Sequence, residues 1–158
     1  MLAAGYSFVT PVFEAPDEIW HYAVVREIAL KRQLPVSTAD PAEPWAQEGL
    51  QSPLYYLLAT PIFLLFGGAL LPLRLFSLAL GAGVIIFAYL AARELTNDKW
   101  LPVIAAGFIA FIPQHVAMMA GVNNDSLSEF LIAIGLWLIL RANRLGFGNW
   151  FLGFAIGL

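Results

Sequence analysis

Ionisable side chains in this chain gather at the edges of apolar runs: Asp17 and Glu18 with His21 one turn on, and Asp125 after Asn123 and Asn124. Residues three and four apart share a helical face, so His21 lies beside both Asp17 and Glu18. A carboxylate and an imidazole so placed can exchange a proton or hold one divalent cation with a further ligand such as Asp125. The structural alternative is equally simple. Acids in a first turn complement the helix dipole, and Asp125 or Ser126 can cap the helix that follows, with Ser126-x-x-Glu129 as a capping box. Arg74, at the mouth of a long apolar run, is either a cation for a phosphate or lipid headgroup or a snorkelling anchor. Tyr55, Tyr56 and Trp45 read as interfacial belt aromatics. His115, two residues after Pro113, either lines the same outer cavity or bonds a local partner.

These groups need a scaffold, and composition says what kind. Apolar residues make up 60% of the 158 and charged residues only 12%, against about 45–50% and about 25% in ordinary globular domains. The charges are uneven: between Glu14 and Glu48 stand seven acids and three bases, ten of the nineteen in the chain. That is the pattern of an all-α, polytopic membrane protein with one polar segment. The absence of cysteine removes disulfides and thiolate chemistry together. Eight basic residues scattered over helix ends form no stripe that could track nucleic acid.

Residues 1–13 give a partial first span and 150–158 the start of a further one, since crossing a bilayer takes about 20 apolar residues. On that reading the chain is an N-terminal piece of a longer membrane protein. Residues 74–95, 100–120 and 126–141 are the complete spans, with Pro102 and Pro113 near the ends of the second. Ser77 and Gly81 form a small-xxx-small pair suited to close helix approach. Residues 14–73 form a long outer loop with juxtamembrane helices, polar from Glu14 to Ser52. Pro16 suits the first position of a helix running to about Gln33 and stopped before Pro35, and an extended stretch follows to Ser52. Residues 53–73 are apolar but broken by Pro53, Pro61, Gly67, Gly68 and Pro72, which favours a bent helix in the interface over a span.

Basic residues flanking spans favour the cytoplasm. Arg93 and Lys99, then Arg141 and Arg144, place their turns inside. Asp17 and Asp125 then face the outside together.

The order of these motifs is more specific than any one of them. Pro16-Asp17-Glu18-x-x-His21-Tyr22, Gln51-Ser52-Pro53-Leu54-Tyr55-Tyr56, Arg74-Leu75-Phe76-Ser77, Arg93-Glu94-Leu95 and Asn124-Asp125 together resemble the N-terminal module of GT-C type glycosyltransferases, over nearly the whole chain. Pro53-Leu54-Tyr55-Tyr56 is similar to a Pro-Pro-Leu-Tyr-Tyr stretch that opens a juxtamembrane helix there, with Ser52 in place of the first proline. The resemblance implies a long first outer loop with juxtamembrane helices. It also implies a polyprenyl-phosphate-linked sugar as donor and a multi-pass protein of a bacterial plasma membrane, active on its extracytoplasmic face. Asp17 looks like the catalytic base, Glu18 like its acidic neighbour and Asp125 like a second-loop acid near the site. His21, Tyr55, Tyr56 and Arg74 are then the substrate-binding residues. Asp17, Glu18, His21 and Asp125 are the candidates for a divalent cation, the only cofactor the residues suggest.

Two other classes stay open on sequence: a cation-coupled transporter or lipid flippase, and a non-catalytic scaffold in envelope polysaccharide assembly. A transporter would want ionisable groups or broken helices near mid-bilayer. Here the acids sit at helix ends.

Overall fold

The computed structural model describes residues 2–35 and 48–146. Trp45, and the apolar stretch from residue 150 read as a further span, lie outside these. Seven helices and no strand are present among the described residues: α1 (Leu2–Val9), α2 (Glu18–Lys31), α3 (Leu54–Leu65), α4 (Leu70–Leu95), α5 (Leu101–Ala110), α6 (Pro113–Ala120) and α7 (Asp125–Arg144).

α2 starts later than Pro16 suggests. Asp17 adopts a left-handed backbone (φ 55°) and interrupts helical geometry between Pro16 and Glu18, so the helix opens at Glu18. Its end is as expected, with Arg32 left-handed and its N–H donating to the Ile28 carbonyl before Pro35. α3 follows Pro53 and has 12 residues, a rise of about 18 Å, well short of the ~30 Å hydrocarbon core. The left-handed pair Gly67 and Gly68 (φ 60° and 79°) then turns the chain, and the Tyr22 hydroxyl donates to the Gly68 carbonyl at 2.7 Å.

α4 is 26 residues long, about 39 Å. It begins at Leu70, ahead of the start expected at Arg74, because Pro72 falls in the first turn, where a backbone N–H has no partner to lose. Arg74 is therefore one turn inside the helix and buried. The run expected as one span over 100–120 is two helices, α5 and α6, bent by 59°. Proline disfavours helical geometry in the residue before it, and Ile112 before Pro113 is accordingly extended (ψ 118°).

Among the described residues α4 is the one helix long and apolar enough to cross a membrane, and the bent α5–α6 pair would make a second if it acts as one span. α4 and α7 run parallel: Phe87 of α4 contacts Phe130 and Trp137 of α7, and Glu94 further along meets Arg141 and Arg144. Gly81 of the small-residue pair faces Met119 of α6. Ser77 instead bonds the Tyr55 hydroxyl at 2.8 Å.

The apolar core lies at the other end of the α4–α7 pair. Val24, Val25 and Ile28 of α2 pack there with Tyr55, Tyr56, Ala59 and Phe63 of α3, Leu73 of α4, and Val122 and Leu127 around the start of α7. Tyr55 and Tyr56 are each only 1% exposed, which overturns the expectation of belt aromatics. Burying an aromatic side chain here stabilises the fold by about 1.5–3 kcal/mol, and this fixes α3 against α2.

Candidate functional site

Glu18 and Arg74 sit beneath the site, and their geometry assigns them a structural part. The guanidinium meets the carboxylate in a fork, Nε to Oε1 at 2.8 Å and Nη2 to Oε2 at 2.7 Å. Its remaining donors reach the carbonyls of Ser7 (3.0 Å), Thr10 (2.7 Å) and Pro11 (2.8 Å). The Phe13 N–H donates to Oε2 and the Val122 N–H to Oε1, both at 3.1 Å. One ion pair thus ties the end of α1, the start of α2, α4 and the turn before α7. All five N–H donors of Arg74 are used inside the chain, leaving none for a phosphate, and a side chain so enclosed is no interfacial anchor. Each oxygen of Glu18 already accepts two hydrogen bonds, so it is not placed to take a proton or a metal. Such a pair is favourable when every donor and acceptor is matched, as here. Gly121 permits the close packing: a Cβ there would lie 2.9 Å from Ala15 Cβ and 3.5 Å from Glu18 Oε1.

This clamp fixes the backbone beside it. Asp17 precedes Glu18, is exposed and makes no side-chain cap bond to α2. Its positive φ is tolerated because Asp and Asn visit that region more readily than other non-glycine residues. A strained residue held by a rigid neighbour is a recurring feature of reactive sites.

His21, one turn on, is buried, and its Nδ1 lies 2.9 Å from the Tyr56 hydroxyl, with the rings stacked at 6.0 Å. Burial lowers the His21 pKa, and the charges of Asp17 and Asp125 partly offset it. Burial pushes the Tyr56 phenol up, so it keeps its proton at neutral pH. The pair is therefore uncharged, with one proton in the hydrogen bond. Asp17 and Asp125, 108 residues apart in sequence, both act on this one imidazole.

Sequence reasoning missed Glu48. Its carboxyl is raised above the usual range, first by burial and then by the charges of Asp17 and Asp125. Gln51 links it to the far loop, donating to Glu48 Oε2 and accepting from Asn124 Nδ2. The available signal was an acid three residues before the Gln51-Ser52-Pro53 motif. Seven acids in one polar segment gave no reason to single it out.

The expected capping box does not form. Asn123 Oδ1 accepts the Asp125 N–H at 2.8 Å, and the Ser126 hydroxyl turns back to the Asn123 carbonyl at 2.7 Å. Glu129 instead reaches His115 Nδ1 at 3.0 Å, so His115 has a local partner on α7. Asp125 is freed from capping by Asn123 and is exposed. Tyr55, bonded to Ser77 in the core, is removed from any substrate. Among the described residues no group of three His, Asp or Glu side chains is placed to hold a metal ion.

Residues 50–158 match the family of dolichyl-phosphate-mannose-protein mannosyltransferases. The chain belongs to this family. Its members are glycosyltransferases of the GT-C type and membrane proteins, in agreement with the resemblance and with the apolar length of α4. No curated protein and no solved structure matches. The mannosyltransferase match spans α3 to α7, with Tyr56, Arg74 and Asp125, and begins beyond Asp17, Glu18 and His21. The resemblance over nearly the whole chain is thus supported for its later two thirds.

Proposed function

We propose that the protein transfers a sugar from a polyprenyl-phosphate donor to an acceptor hydroxyl on the outer face of the membrane, with Asp17 as the base. Asp17 takes the acceptor proton as the hydroxyl oxygen attacks the anomeric carbon, and the sugar–phosphate bond breaks to release the polyprenyl phosphate. An attack of this kind needs a carboxylate at hydrogen-bond distance and open to the substrate. Of the two adjacent acids, Glu18 is sealed in the clamp and Asp17 is open.

The observation that carries this reading is the convergence of Asp17, Asp125 and Glu48, from three separate segments, about the neutral His21–Tyr56 pair in a member of a GT-C family. Asp125 and Glu48 orient the acceptor, and His21 holds the floor of the site. Cations to receive the phosphate charge must come from elsewhere, because Arg74 has no free donor. In this reading α4 and the bent α5–α6 pair cross the bilayer, α7 runs alongside α4, and Arg93, Lys99, Arg141 and Arg144 stand on the cytoplasmic side.

The test is release of polyprenyl phosphate from a radiolabelled polyprenyl-phosphate sugar by the purified intact protein given a membrane-derived acceptor fraction. Acceptor-dependent release supports the proposal. Cation-coupled flux in proteoliposomes with no sugar transfer would overturn it in favour of a transporter.

A further inference from the structure

At the end of the α4–α7 pair remote from Asp17 lies an open groove of about 390 Å³, lined by Tyr89, Arg93, Glu94, Trp137, Arg141 and Arg144. Glu94 is largely enclosed, and its two oxygens pair with Arg141 Nη1 at 3.1 Å and Arg144 Nη1 at 3.3 Å. Arg144 also donates to the Arg93 carbonyl at 3.2 Å. The Arg93 side chain is exposed and has no partner among the described residues. Two guanidinium groups thus face one carboxylate, and Arg93 adds a third to the groove lining. Two helix C-termini end here, each equivalent to about −0.5 charge, and about one positive charge still remains in excess.

A second observation is independent of charge. Trp137 Nε1 is buried without a hydrogen-bond partner, the one such side-chain atom among the described residues. Buried donors are nearly always satisfied, and a turn of the indole, which lines the groove, would bring this orphan to an acceptor there. The Arg141 guanidinium lies 5.8 Å from the Trp137 ring centroid, so the indole and the arginine flank the same space.

We infer that this groove binds a phosphate group, with Arg93 and Arg141 as its cations and Trp137 Nε1 as a neutral donor. Arg141 and Arg144 are half-exposed, and an arginine fork suits a phosphate better than a point charge would. The phosphate could be carried by a membrane lipid whose headgroup lies level with the ends of α4 and α7, or be free in solution. The site does not depend on the transfer reaction proposed for the opposite end.

The intact protein in a neutral detergent is titrated with phosphatidylglycerol, with phosphatidylcholine as the zwitterionic comparison, and separately with inorganic phosphate. Bound lipid is counted by native mass spectrometry. Arg93→Gln should weaken phosphatidylglycerol binding about fivefold, the effect of about 1 kcal/mol per basic residue at a membrane surface. Trp137→Phe keeps the ring and removes the donor, and should weaken binding about threefold with the charge unchanged. Lys99→Gln, which removes a neighbouring charge that sits over Trp100 outside the groove, should leave binding unchanged. Competition by inorganic phosphate would assign the site to free anions, and its absence to lipid headgroups; either supports a phosphate site. Equal loss in Arg93→Gln and Lys99→Gln with none in Trp137→Phe would show diffuse surface charge and overturn the inference, as would equal binding of the two lipids with no binding of phosphate.

Discussion

Glu18→Gln separates building from chemistry at two adjacent acids. Each oxygen of Glu18 faces two donors, Arg74 Nε and the Val122 N–H at one, Arg74 Nη2 and the Phe13 N–H at the other. An amide must set its NH₂ against one of these pairs, so either orientation places donors against donors and leaves Arg74 buried without its counter-charge. Breaking a buried pair from one side costs about 3–5 kcal/mol. At about 2–4 °C per kcal/mol for a chain of this size, the midpoint should fall by about 6–20 °C. Thermal unfolding in detergent measures it. Asp17→Asn, at an exposed residue whose left-handed backbone Asn also accepts, should shift it by less than about 2 °C, within the ±0.5 kcal/mol usual for surface changes. A Glu18→Gln protein with wild-type stability and no transfer would refute the argument and return Glu18 to the chemistry.

Further outcomes follow from the same geometry. Gly121→Ala places a methyl 2.9 Å from Ala15 Cβ and should cost about 1–3 kcal/mol by overpacking, read by the same unfolding assay. Ser126→Ala removes only the bond to the Asn123 carbonyl, and should cost about 1 kcal/mol with transfer retained. The lowered pKa of His21 means that the unfolded chain takes its proton first. His21 therefore stabilises the fold above its unfolded value of about 6.5, and that stability is lost as the pH falls through the lower folded pKa. Glu48 acts in the opposite sense: its raised pKa favours the fold at low pH, a contribution lost as the pH rises above the ordinary carboxylate range. His21→Gln should accordingly flatten the fall in unfolding midpoint below pH 6.5, whereas an unchanged slope would rule His21 out as its source. Single cysteines in this cysteine-free chain should react with an impermeant reagent in intact cells at positions 17 and 125, and at 97 and 143 only after permeabilisation.

The elements were legible where one local rule governs them. The apolar run of α4 and the stop of α2 before Pro35 are read from composition and proline alone. The break between α5 and α6 was also available, since the rule that a residue before proline leaves the helix applies directly to Ile112. The division of labour between Asp17 and Glu18 was not. A sequence places two acids side by side, but which one turns inward depends on Arg74, 56 residues away, and on the left-handed backbone at Asp17. The same limit hid Glu48, whose place in the site comes from Gln51 and Asn124 across the fold, and the pairing of Glu129 with His115 in place of a cap. Long-range partners set side-chain roles, and hydrophobic periodicity carries no record of them.

The central claim is that Asp17 is the open, reacting carboxylate above a structural ion pair. The decisive measurement is transfer from a radiolabelled polyprenyl-phosphate sugar by the intact Asp17→Asn protein, run beside binding of the same lipid. The account predicts loss of transfer by at least about 100-fold, the lower range for a general base, with donor binding and unfolding midpoint unchanged. Transfer at the wild-type rate in Asp17→Asn would contradict it.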